Sequence, residues 1–150
     1  MKLYLTCLIT LALLASCSPT PTQSPDMPAT SDTPSSGPPP IYAPRPGDNI
    51  LQRGNVFIDS VDLLTMESFP VQYSITLKGG LPTPCHELRV VYREPGAENK
   101  IVLEVYSVVD PNLICVEVIQ PFEQNVYLGS FPAGHYTIWI NDKMMAEFDA

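Results

Sequence analysis

Ten of the seventeen prolines in this 150-residue chain fall between Ser18 and Pro46, and that crowding restricts the fold more than any other feature. Proline fixes φ and donates no backbone hydrogen bond. The residues between these prolines are mostly Ser, Thr, Asp and Gly, with almost nothing to bury. Such a stretch cannot offset its ordering entropy, so residues 17–48 are expected to form an extended or disordered linker. About 30 residues of this kind reach on the order of 90 Å when fully drawn out. With the apolar N-terminal segment also set aside, about 100 residues remain for a core, enough for one domain and too few for two.

Sixteen acidic against eight basic residues give a formal charge of −8. That balance argues against a nucleic-acid partner, which needs clustered Lys and Arg to neutralise phosphate. An anionic lipid surface is an equally poor match.

Met1 and Lys2 open the chain with positive charge, and Leu3 to Leu14 form an apolar run. A run of about a dozen residues has the length of a signal-peptide core and is too short to span a bilayer. It ends in Leu14-Ala15-Ser16-Cys17, which resembles the lipobox of bacterial lipoproteins. The resemblance implies that residues 1–16 are a signal peptide and that Cys17 becomes the lipidated first residue. Diacylglycerol on its sulfur and an acyl chain such as palmitate on its amine would give stable anchoring. The expected address is the cell envelope, on the extracytoplasmic side. Ser18 in place of aspartate resembles the sorting pattern for the outer membrane, if the host has one.

From Asn49 onward the pattern changes to period-two alternation with turn signals every eight to twelve residues, which reads as all-β. Strands are expected over 56–66, 71–78, 87–93, 101–109, 114–120, 124–128, 136–140 and 144–148, and no helix is expected. Breaks fall at Phe69-Pro70, Gly79-Gly80-Leu81-Pro82, Pro95-Gly96, Asp110-Pro111, Gln120-Pro121 and Pro132-Ala133-Gly134, with Asn141-Asp142 as a short hairpin turn. The run Leu128 to Tyr136 resembles the approach to a late strand of immunoglobulin-like domains, where a tyrosine tucks its hydroxyl against upstream backbone. Residues 49–150 are therefore expected to form an immunoglobulin-like or fibronectin-like β-sandwich of about seven or eight strands.

Three segments carry a more particular resemblance: Leu64 to Gln72, Leu81 to Arg89, and Pro121-Phe122-Glu123 leading into Gly129 to Gly134. Together they resemble a family of small bacterial envelope lipoproteins, over residues 55–150. The resemblance implies one β-domain on a lipid anchor and assigns no activity.

Apart from Cys7 in the signal segment and Cys17, the cysteines are Cys85 and Cys115. An oxidising envelope favours their pairing. By alternation Cys85 shares a face with Glu87, Arg89, Val91 and Arg93, opposite Leu88, Val90 and Tyr92. Cys115 shares a face with Glu117, while Ile114, Val116 and Val118 look inward. The bridge is thus expected on the outer side of the domain or at a strand end. The same bookkeeping points Ile101, Leu103, Val105, Tyr136, Ile138 and Ile140 inward. Tyr106, Tyr127 and Trp139 point outward and form a candidate protein-binding surface.

Little in the chain suggests chemistry. His86 and His135 are the only histidines, too few and too scattered for a zinc or copper site. Asp59, Asp62 and Glu67 alternate with apolar residues instead of forming a calcium loop. No nucleophile turn, phosphate loop or dinucleotide fingerprint occurs. The expectation is a non-catalytic binding or assembly domain with no cofactor, no metal and no catalytic residue, tethered to a membrane and engaging an envelope or surface protein. Two alternatives stand beside it: an envelope-tethered inhibitor of secreted proteases that presents the loops 79–85 and 130–135, and a structural accessory lipoprotein of a larger complex.

Overall fold

A computed structural model describes residues 39–150. A short 3-10 helix, Pro46–Ile50, precedes strands β1 (Gln52–Gly54), β2 (Phe57–Met66), β3 (Gln72–Leu81), β4 (Glu87–Arg93), β5 (Lys100–Val109), β6 (Gln120–Gly129), β7 (His135–Ile140) and β8 (Lys143–Asp149). These form two sheets. In the three-stranded sheet the order is β2, β3, β6. In the five-stranded sheet β5 is central: β4 runs along one side of it, β1 and β7 share the other, and β8 lies beyond β7. The all-β sandwich expected from alternation is the fold observed.

Every strand pair is antiparallel except β5 with β7. The chain crosses to the opposite sheet as β6 between those two strands, so β5 and β7 return in the same direction. Immunoglobulin domains build their sheets from antiparallel pairs, so this parallel contact is a local departure within a shared architecture. Because β1 and β7 share one side of β5, its ladder is interrupted between Leu103 and Ser107. The Asn141 side chain fills the gap: its amide donates to the Val105 carbonyl and its oxygen accepts from the Val105 N–H, both at 2.8 Å. Asn141 and Asp142 have φ of 48° and 67°, as the expected tight turn between β7 and β8 requires.

The inner faces of the sheets supply the core. Ile75 and Leu77 from β3 and Val126 from β6 meet Ile101, Leu103 and Ile138 of the other sheet, all essentially inaccessible. Burying a side chain of this size contributes about 1.5–3 kcal/mol over leaving it exposed. The inward residues expected in β5 and β7 are all buried.

Four details differ from the sequence reading. Gly79, Gly80 and Leu81 continue β3 and do not form a turn. A Cβ on Gly79 would sit 2.0 Å from the Phe57 carbonyl oxygen, and one on Gly80 would sit 2.6 Å from the Ile119 side chain. The glycines therefore serve close approach, not a change of direction. Pro121 lies inside β6, which is tolerated because β6 is an edge strand and that residue owes no ladder donor on its free side. Residues 114–120, expected as a strand, have no pairing partner before Gln120. The expected linker boundary at residue 48 falls inside a segment that packs on the sandwich, where the Tyr42 carbonyl accepts from Val90 N–H at 2.9 Å and the Tyr42 ring packs against the core.

Candidate functional site

The two ends of the sandwich are built differently, and the difference locates the candidate site. One end holds the start of β4, the end of β5 and the start of β6. There Cys85 and Cys115, 30 residues apart, form a disulfide with a Cα separation of 6.1 Å. Cys85 lies in the turn before β4, so the bridge sits at a strand end, as alternation suggested. The partner segment overturns the other half of that reading. Ile114, Val116 and Val118 were expected inward; they are 101%, 66% and 60% exposed, and Leu113 and Ile119 are exposed as well. Only two local backbone hydrogen bonds involve this segment, Leu113 to Asp110 and Val118 to Val116. Once the disulfide turns Cys115 toward Cys85, its immediate neighbours Ile114 and Val116 are left pointing outward.

The aromatic trio does not form one surface. Tyr106 on β5 and Trp139 on β7 share the outer face of the five-stranded sheet, where Val102 lies opposite Trp139. Tyr127 is on β6, in the other sheet, and is 52% exposed. Tyr106 and Trp139 are each half-covered by a cation: the Arg53 guanidinium lies 3.7 Å from the Tyr106 ring centre, and Lys100 Nζ lies 4.0 Å from that of Trp139. Such stacking contributes about 0.5–1 kcal/mol at exposed sites. Outward parity is correct for all three, but sequence alternation carries no information about which sheet a strand joins.

Over the β5 interruption lies an open cleft of about 420 Å³ lined chiefly by Arg53, Arg93, Glu104, Tyr106, Asn141 and Asp142. Arg53 hydrogen-bonds Glu104, and Arg93 approaches the same carboxylate at 3.8 Å. The cleft is polar and its charges are internally balanced. Its walls contain no histidine, cysteine or serine. His86 is held by Thr83 at 2.8 Å, and His135 by Asp149 at 2.9 Å on the far end of the domain. Among the described residues no cluster of His, Cys, Asp or Glu has the geometry to hold a metal ion.

One structural pair escaped alternation altogether. Arg89, assigned to the outer polar face, is 1% exposed. Its Nε and Nη2 donate to the two Asp48 oxygens at 2.7 and 2.9 Å, Nη1 donates to the Leu88 carbonyl, and Nη2 also reaches Glu87. The short helix 46–50 covers this part of the sheet and brings Asp48 to it. Hydrogen bonds from the Arg89 side chain and then the Arg45 backbone hold the Asp48 carboxyl down to about 2. A buried arginine on a polar parity has no local signal, because its partner lies 41 residues away.

The opposite end is closed by aromatic packing. Tyr73, Phe131, Tyr136 and Phe148 pack with ring centres 4.5–5.8 Å apart, Tyr136 stacked on Phe148 and the other pairs tilted. The Tyr136 hydroxyl donates to the Pro132 carbonyl at 3.1 Å, the upstream tuck expected from the run Leu128 to Tyr136. The loops 82–86 and 130–134 therefore lie at opposite ends of the ten-residue β6, about 30 Å apart at strand rise. They cannot enter one protease cleft together, which removes the two-loop form of the inhibitor reading.

With this geometry in place, comparison with known proteins adds a family. The model of the ORF11 beta-sandwich domain matches residues 75–150, which include both bridged cysteines and the exposed apolar segment. A Herpetosiphon aurantiacus protein described as an uncharacterized 10.2 kDa protein in the HgiCIIM 5' region is similar. It is 30% identical over 88 residues, covering 58% of this chain and 93% of that protein. No solved structure matches. The chain belongs to the ORF11 beta-sandwich domain family.

Proposed function

We propose that the chain is a lipid-anchored cell-envelope protein whose sandwich is a non-catalytic binding or assembly module. The observation that carries this reading is the apolar run at the disulfide end. Five large apolar residues between Leu113 and Ile119 are exposed, and contiguous apolar surface rimmed by polar residues marks interaction sites. The balanced lining of the polar cleft, without a nucleophile or imidazole, supports the non-catalytic half of the reading. The anchor is supported by Leu14-Ala15-Ser16-Cys17; Cys17 lies outside the described residues. The partner is an envelope or surface protein, reached from the outer membrane if the host has one.

Photocrosslinking in the protein's own cells tests the module. A photoreactive residue at Val116 should capture one abundant protein, and one at Trp139 should capture less. No capture from either position would sink the binding reading. The anchor has its own test: an alkyne-tagged fatty acid should label the chain, and Cys17→Ser should abolish the label and release the protein from membranes. An unlabelled wild-type chain would remove the anchor and leave the module intact.

A further inference from the structure

Resting on that reading, we infer that residues 113–119 are a tethered docking segment that pairs edge to edge with an extended segment of another protein in which apolar and basic residues alternate. Leu-Ile-Cys-Val-Glu-Val-Ile has the composition of a strand, yet no strand lies beside it among the described residues. Edge pairing of this kind takes its affinity from main-chain hydrogen bonds and its selectivity from alternate side chains. The segment is already held. The Cys85 bridge pins its centre, and Ile119 seats against Gly80. A partner therefore meets an ordered segment and is spared much of the ordering cost.

Charge decides the occupant. Glu117 is exposed at the centre of the tight turn in which Val118 N–H donates to the Val116 carbonyl, and it has no ion pair among the described residues. Three acidic side chains of the sheets are answered, Glu104 by Arg53 and Arg93, Glu87 by Arg45 and Arg89, and Asp62 by Lys78, whereas Glu117 is the single charge within 113–119. No lysine or arginine occurs between Tyr106 and Lys143, while Asp110 precedes the apolar residues and Glu117 lies among them. A second copy of the segment would bring acid toward acid, and an anionic bilayer would be repelled. A basic side chain opposite Glu117 satisfies the one uncompensated charge on the strip.

The test uses the full chain and a labelled seven-residue peptide that alternates valine and lysine, read by fluorescence anisotropy. Its valine–glutamate counterpart should bind about fivefold more weakly or worse, since opposite charges across a strand pair attract and like charges repel. Glu117→Lys should reverse that preference. N-methylation of the peptide backbone on one edge should abolish binding, and so should Val116→Asp, an exposed change that leaves the fold intact. Indifference to peptide charge, indifference to N-methylation, or no binding of the valine–lysine peptide would each overturn the docking segment. Crosslinking from Trp139 to a partner, combined with any of those results, would keep the binding module and discard only this site.

Discussion

The aromatic end and the disulfide end of this sandwich solve one problem in opposite ways. At the first, Tyr73, Phe131, Tyr136 and Phe148 fold inward over the ends of the strands, and apolar area is removed from water. At the second, a covalent bond holds the connection from β5 to β6, and its apolar side chains stay outside. A small domain has limited core to spend on both ends. The staple makes it possible to keep a connection ordered without burying it, which leaves apolar surface available for a partner.

That contrast breaks most clearly under truncation. Phe148→Ala removes a nearly buried ring from the aromatic end and should cost about 4 kcal/mol, read as a lower denaturant midpoint. If the two ends were equivalent, Ile114→Ala would cost the same; as a fully exposed side chain it should stay within about 0.5 kcal/mol. Replacing both Cys85 and Cys115 by serine should cost about 3.5 kcal/mol in the chain-entropy model. The loss should appear with hydrogen exchange quickened at the starts of β4 and β6, beside the bridge, and unchanged in β7 around Tyr136. Equal quickening at both ends would refute independent closure.

A smaller effect sharpens the comparison. Tyr136→Phe deletes the hydroxyl bond to Pro132 and should cost about 1 kcal/mol, leaving the disulfide end unaffected. The pH dependence separates two further contacts. Asp48 is held below the usual carboxylate value, down to about 2, so its contribution is present above the ordinary value and is lost as pH falls through that range toward 2. Asp48→Asn should reduce the acid sensitivity of the unfolding midpoint. Tyr92, whose hydroxyl donates to Leu128 at 3.1 Å, is pushed up to about 12, by burial first and by Glu94 second. Its folded form stays neutral where the unfolded phenol ionises, so stability should fall as pH rises from the ordinary tyrosine value toward 12.

Much of the fold was legible because alternation reports burial directly. Ile101-Val102-Leu103-Glu104-Val105 can be a half-buried strand on pattern alone, and it is one. Tyr136 after Gly134 and the Asn141-Asp142 turn were legible because their geometry is local. Gly79-Gly80 misled because glycine serves turns and close contacts alike, and only the approach of Phe57 and Ile119 tells them apart. The parity of 114–118 misled because a disulfide partner 30 residues away fixed which side of the segment faces the domain. Arg89 misled because its partner is Asp48, which composition assigned to the end of the linker.

The sequence by itself determined the all-β class, the inward residues of the central strands, the pairing of Cys85 with Cys115 and the tyrosine tuck. Each depends on spacing within a strand, on a turn, or on the small number of available thiols. Tertiary structure alone decided which sheet each strand joins, that Tyr127 faces away from Tyr106 and Trp139, that Arg89 is buried against Asp48, and that the apolar residues of 113–119 lie outside. Those outcomes depend on contacts between segments far apart in the chain, and a period of two records only that a side chain changes face, never what waits on the other side.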